Sequence, residues 1–390
     1  DQDKPNSLPE TILPAGGFYN TQTRTMESYD FRASATYNTT LNNDHIINTY
    51  LGSEVNSQDR VSRWMDGWGM QYDSGLTPFW DYRAFKRLTE KNWDYYGLSK
   101  SFGRSVAFFA NATYSYKGRY TITGTTRYEG TNRLGRTRKA RWLPTWNISG
   151  AWNAHSEDFF EKQHLLSHLT LKGSYSLVGV APSWVTNSRA IIYSRAAWRP
   201  SAGQSENRNY IGSFENEDLT YEKKHELNFG IDMGMLKNRL NIAADIYWRN
   251  NFDLIGAAYT IGGTRWGNVA SMKSHGFELS VSTKNIQSKD FSWTTDFIFG
   301  STFNKVTELD TKRNMFNFLT GNGFARQGYP VRSLFSIPYE GLTREGLPTF
   351  RFKGDRITPS NYNKINFQEI DDLAFLKYEG SAEPTFNGSL

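Results

Sequence analysis

Cysteine is absent from the 390-residue chain. That excludes disulfides, thiolate nucleophiles and Cys-ligated metals together. Equally missing is any apolar run near the ~18 residues of a spanning helix, and mean hydropathy is −0.64. A helical membrane protein is excluded; a membrane β-barrel is not, because its alternating strands average out to polar. Histidine is scarce, with 6 in the chain and no His-Glu-x-x-His. His164 and His168 stand four apart but lack a third ligand, so no metal site is expected. No glycine-rich phosphate cradle is present: Gly124, Gly130 and Gly135 lie between strand-like runs without a following helix. Glu369, Asp371 and Asp372 sit in a polar tract and read as solvated carboxylates rather than a glycosidase pair. The net charge of +6 is mild for this length. The cluster Arg133, Arg136, Arg138, Lys139 and Arg141 comes without a nucleic-acid reader motif and reads as a cationic loop facing lipopolysaccharide or solvent. No catalytic residue, cofactor or nucleic-acid partner is expected.

What is present is alternation. In KHELNFGIDMGMLKNRLNIAADIYWR (224–249), Leu227, Phe229, Ile231, Met233 and Met235 alternate with Glu226, Asn228, Gly230, Asp232 and Gly234. After Lys237-Asn238 the pattern resumes with Leu240, Ile242, Ala244, Ile246 and Trp248. A period of two puts successive side chains on opposite faces of a strand, and two such runs around a short turn form an antiparallel hairpin. One face suits lipid; the other, with Glu226, Asp232, Asp245 and Arg249, needs water. A long hairpin of a soluble sandwich fits this stretch equally well.

The order of connections separates the two. Hairpins of the same design recur at 28–55 and 106–128, with further strands near 146–152, 169–177, 277–282 and 291–299. Short turns (42–44, 117–118, 237–238, 285–289) alternate with long connections (56–104, 179–222, 253–273, 304–383). Outer-membrane barrels have this asymmetry; a sandwich has no reason for it. The segment 155–167 is expected as a short helix. Tyr37, Tyr114, Tyr116, Tyr120, Tyr247, Trp248, Phe291 and Trp293 gather near the short turns, as an inner aromatic girdle would. The expected division is a loop at 1–27, barrel strands with long outer loops over 28–303, and a long outer tract over 304–390 leading to the next strand.

Aromatic residues make up 15% of the chain. Trp64, Trp68, Trp80, Trp184, Trp198 and Trp266 fall in the long connections, and Phe316, Phe318 and Tyr329 in the last tract. Exposed rings there can stack on sugars or pack against a partner protein; equally, they can staple loops to one another. These nine are the candidate substrate- or partner-binding residues. The alternative to a transporter is a soluble β-rich surface protein, glycan-binding or structural.

The runs RYTITGTTRYEGTNRLGRTRKARWLPTWNISGAW (119–152), LTLKGSYSLVG (169–179), LTYEKKHELNFGIDMGMLKNRLNIAADIYWRNNFDLI (219–255) and SHGFELSVSTKNI (274–286) resemble, in that order, the SusC/RagA group of TonB-dependent outer-membrane transporters. The resemblance implies an all-β, 22-stranded plugged barrel in the outer membrane of a Bacteroidetes-type bacterium. It also implies contact with TonB, a SusD-like surface lipoprotein as lid, and import of oligosaccharide or peptide. About ten or eleven spanning strands and no plug region are expected here, which makes the chain a middle-to-late portion of such a barrel. The group's acidic Asp-x-Asn-Gly-Asp-Gly stretch is not preserved near 353–372, so no calcium loop is expected.

Overall fold

The computed structural model describes residues 16–75, 94–160, 165–182, 191–199, 204–260, 263–311, 315–352, 354–358 and 376–389. The alternating runs become β1 (Gly17–Leu41), β2 (His45–Met70), β3 (Tyr96–Tyr116), β4 (Tyr120–Thr131), β5 (Trp142–Asn153) and β6 (Leu166–Val180). A separate hairpin, β7 (Ile191–Arg199) with β8 (Gln204–Ser213), follows. Then come β9 (Glu222–Met235), β10 (Leu240–Thr260), β11 (Gly263–Gln287) and β12 (Ser292–Leu309). Six short strands complete the order: β13 (Ser333–Ser336), β14 (Gly341–Leu342), β15 (Pro348–Phe352), β16 (Asp355–Ile357), β17 (Lys377–Ser381) and β18 (Phe386–Ser389). Eleven strands form one antiparallel sheet, β1-β2-β3-β4-β5-β6-β9-β10-β11-β12-β18. It is a partial barrel, and the expectation of about eleven spanning strands is met.

Short-turn chemistry follows the sequence. Asn42 and Asn43 adopt left-handed φ of 51° and 59°, and Lys117-Gly118 adopts 54° and 66°. Two consecutive positive φ values match the right-handed twist of the flanking strands.

Register sorts the side chains onto two faces. Paired residues share a face, so Ile122, Gly150, Gly173, Phe229, Ile246, Phe277 and Ser301 lie in one row. Phe229 is 51% exposed and Ile122 59%; in this wall the large apolar side chains point outward. The other face carries Arg32 with Glu54, Thr113 with Thr123, and Glu226 with Arg249. The outward set expected for 224–252, including Leu227, Phe229 and Ile246, is the set observed.

Aromatic rings bracket the apolar band. Tyr114, Tyr116, Tyr120, Trp152 and Trp293 lie near the short turns; Phe108, Tyr128, Tyr175, Trp248 and Phe303 lie farther up. The step from Tyr120 to Tyr128, or from Trp293 to Phe303, is eight to ten residues. At about 3.3 Å per residue and a tilt near 40°, that spans roughly 20–26 Å, close to the usual apolar band. The girdle expected at the short turns needs two corrections. Trp248 belongs to the upper belt. Tyr247 faces the lumen, only 3% exposed, with its hydroxyl 2.7 Å from Thr302 Oγ1.

The strands also run much longer than the alternation indicated. β2 continues to Met70, β10 to Thr260 and β11 begins at Gly263, where loops were expected from 56 and over 253–273. Above the membrane both faces are wet, so the period of two disappears while the backbone ladder continues. Likewise β1 begins at Gly17 inside the expected entry loop, and β12 carries on to Leu309 past the expected boundary at 303. The expected helix over 155–167 is not formed among its described residues: a 3-10 turn covers Ala154–Ser156, and β6 starts at Leu166. His168 is therefore on a strand, bonded to Asp232 at 3.1 Å, and the helical His pair does not exist.

The tract after β12 folds on a core of its own. Phe318, Phe335, Ile357 and Leu376 are buried, with Phe324, Tyr329 and Phe350 packed against them.

Candidate functional site

On the polar face, at the end with the long connections, a cavity of about 580 Å³ is lined by Asn56, Arg127, Glu129, Leu143, Thr145 and Tyr221 among others. Arg127 supplies its central charge. Its Nε donates to Glu129 at 2.6 Å and an Nη to Glu54 at 3.4 Å. Glu54 also accepts from Arg32 at 2.6 Å. The ladder Arg32–Glu54–Arg127–Glu129 thus crosses from β1 to β4, holding guanidinium and carboxylate groups in a water-facing wall.

Two loops close over the cavity. Gly135 donates its amide to the Leu219 carbonyl at 2.7 Å, and Arg136 to that of Glu217 at 2.8 Å. A Cβ at Gly135 would run into the Glu217 carbonyl, so this crossing needs glycine. Leu134, Leu143, Leu219 and Tyr221 form a buried cluster beneath it, with Trp266 against one side. The Tyr221 hydroxyl lies 3.3 Å from the Glu129 carbonyl and 3.2 Å from that of Arg141. Burial pushes this phenol well above its ordinary pKa, and it stays a neutral donor. Asn268 ties β11 to the same closure through the Thr220 and Asp253 carbonyls, at 3.0 and 2.6 Å.

At the short-turn end stands a second polar cluster, unseen in the sequence reading. Glu157 accepts from Tyr120 Oη at 2.5 Å, Arg119 at 2.9 Å and Trp152 Nε1 at 3.1 Å. The hydrogen bonds from Tyr120 and Trp152 hold its carboxyl below the usual range. These bonds draw Glu157 inward, in place of the helix expected there. The signal was Arg119-Tyr120 and Trp152 flanking short turns opposite HSEDFF (155–160), a pairing only the register reveals.

The structure scatters the nine candidate aromatics. Trp64 lies on β2 over Gly97, its cross-strand partner, where no Cβ would fit. Trp68 is 6% exposed and meets Tyr95 edge-on at 6.3 Å. Trp266 packs on the cluster beneath the closure. All three are in strand extensions, where they pack the wall. Trp198 falls on β7 and Phe316 on the helical turn Met315–Phe318. Phe318 is fully buried, and Tyr329 packs edge-on to Phe335 at 5.4 Å. Their apolar rings are consumed by the tract's own core, which is the physical reason they do not offer an apolar centre to a partner. Trp80 and Trp184 lie outside the described residues, as do Glu369, Asp371 and Asp372.

Residues 4–376 match the family described as TonB dependent receptor-like, beta-barrel. The chain belongs to this family. Membership places it in an outer-membrane β-barrel, which accounts for the outward apolar band. Among family relatives, TonB-dependent receptor P39 of Formosa agariphila is 27% identical over 372 residues, covering 92% of this chain and 34% of that protein. TonB-dependent receptor SusC of Bacteroides thetaiotaomicron is 26% identical over 212 residues, 52% of this chain and 21% of that protein. This family chain therefore spans about a third or less of the curated relatives it matches. The structure of the RagAB peptide transporter superposes with TM-score 0.76 at 20% identity, over 95% of this chain and 39% of that one. The outer membrane transporter YddB from Escherichia coli superposes with TM-score 0.50 at 13% identity, covering 80% and 38%. At such identities both report the fold alone.

Proposed function

We propose that the chain forms part of the wall and outer mouth of a TonB-dependent importer of the SusC/RagA type, not an enzyme, taking oligosaccharides or peptides into the periplasm beneath a SusD-like lipoprotein lid. One observation carries the reading: the wall is apolar outside and ion-paired inside, and its polar cavity opens where the long connections gather. A soluble surface lectin would have no use for the outward band. The names of relatives, SusC and RagAB among them, support the same class. TonB contact is assigned to the importer as a whole, outside this wall.

Substrate meets the Arg127–Glu129 side of the cavity, where paired charges and Asn56 and Thr145 offer donors and acceptors to hydroxyls or peptide groups. Trp64, Trp68 and Trp266 stiffen the mouth rather than stack on cargo. The lid rests on the last tract, whose exposed apolar side chains are Tyr339, Leu342 and Leu347, 65%, 54% and 46% exposed. A cluster of this kind on an otherwise wet surface marks a contact. The test is growth of cells carrying the full-length protein on candidate glycans and peptides, with Arg127→Ala and the triple change Tyr339→Asp, Leu342→Asp, Leu347→Asp. Arg127→Ala should impair uptake with the barrel assembled, and the triple variant should lose co-purifying lipoprotein. Normal uptake and normal co-purification in both would sink the assignment.

A further inference from the structure

Lys273 on β11 and Lys305 on β12 are direct cross-strand partners. Both point outward, on the same face as His275 and Phe303 one pair below, and both are exposed. Like charges set directly opposite each other destabilise a sheet, and among the described residues neither lysine has an ion pair. The acids nearby are engaged elsewhere: Asp253 by Lys223 at 2.7 Å and Glu308 by the Ser271 hydroxyl at 2.9 Å. An external anion would relieve the pair.

Location says which anion. The lysines sit just beyond the upper aromatic belt, toward the long connections and hence at the outer leaflet. In register beside Lys273 are Asn250 and then His225. Below them Trp248, His275 and Phe303 form the belt, and below that Ile246 and Phe277 face the acyl chains. A groove of about 400 Å³ runs between His225, Trp248, Asn250 and Lys273. His225 stacks on Tyr175 and Phe252 at 5.6 and 5.5 Å, which fixes its ring as one wall. Read outward from the membrane, the order is apolar, aromatic, then polar and cationic. Acyl chains, a sugar ring and a phosphate would meet those layers in that sequence, with the ring against aromatic faces.

We propose that this face binds the phosphorylated headgroup of an outer-leaflet glycolipid, with Lys273 and Lys305 sharing the phosphate and the Trp248–His225 groove receiving the sugar. The cationic loop 133–141, the earlier candidate for such contact, serves the mouth closure instead through Arg136 and Gly135.

The test uses the full-length protein in lipid nanodiscs, with phosphorylated lipid A as probe and dephosphorylated lipid A, phosphatidylglycerol and inorganic phosphate as comparisons. Wild type should prefer phosphorylated lipid A, and free phosphate should not displace it. The double variant Lys273→Gln, Lys305→Gln should bind it roughly 30-fold more weakly, at about fivefold per lysine. Its barrel should be no less heat-resistant than wild type in detergent, because the like-charge contact is gone. Equal binding of phosphorylated and dephosphorylated lipid A by wild type overturns the proposal, and that arm needs no variant. Unchanged binding by the double variant, equal binding of phosphatidylglycerol, or displacement by free phosphate overturns it as well.

Discussion

The wall and the last tract use the same large apolar residues in opposite ways. In the wall Phe229 and Ile122 are half-exposed or more and the ion pairs lie inside. In the tract Phe318 is fully buried, Phe335 lies beside it at 5.5 Å, and Arg351 and Glu340 pair at its surface at 2.7 Å. One region is sorted by lipid and the other by water. The lesson is that exposure of a phenylalanine has no fixed meaning along this chain. Its neighbours above or below the aromatic belt decide whether it faces solvent, lipid or core.

Three changes sharpen the contrast. The largest effect belongs to the tract: Phe318→Ala should cost about 3–5 kcal/mol of its local stability. Proteolysis should then cut within 315–352 while the barrel still resists heat in gel-shift assays. Phe229→Arg, at mid-membrane, should cost the wall roughly 2–4 kcal/mol, read as reduced assembly and earlier unfolding in bilayers. The same substitution is harmless only if this face meets water. Asp245→Asn on the luminal side should be neutral or slightly stabilising, since Asp245 lies directly opposite Glu278.

A fourth prediction concerns the short-turn rim. The depressed carboxyl of Glu157 means the folded state binds its proton less readily than the unfolded chain. Its contribution is complete above the unfolded carboxylate range and disappears as pH falls through the folded value. Acid should therefore loosen the β5–β6 connection first, seen as faster hydrogen exchange at 154–160 between neutral and about pH 3. In Glu157→Gln that pH step should vanish. A step of unchanged size would place its origin elsewhere.

Legibility in the sequence followed the membrane. Where one face meets lipid, as at Leu227–Met235, alternation gave strand, face and register, because a polar residue on the lipid side is strongly disfavoured. At Asn56–Arg60 the same strand leaves the membrane, both faces become polar and the signal ends although the ladder does not. That loss of period turned Trp64, Trp68 and Trp266 from wall residues into apparent loop aromatics. The mouth cavity was less legible still. Glu54, Arg127 and Tyr221 come from three distant segments, and only the pairing of β2, β3 and β4 brings the first two within reach. The buried core of the last tract was unreadable for a related reason: its strands are two to five residues long, too short to show a period.

The central claim is that a single sheet faces lipid on one side and water on the other, and the hairpin β9–β10 tests it most directly. The chain has no native cysteine, so single cysteines can be placed at each position from Glu226 to Asp232 in the full-length protein and labelled with a fluorophore in bilayers. Quenching by a lipid-soluble agent should peak at 227, 229 and 231, and quenching by an aqueous agent at 226, 228, 230 and 232. Aqueous quenching at every position, or no alternation between the two agents, would contradict the account.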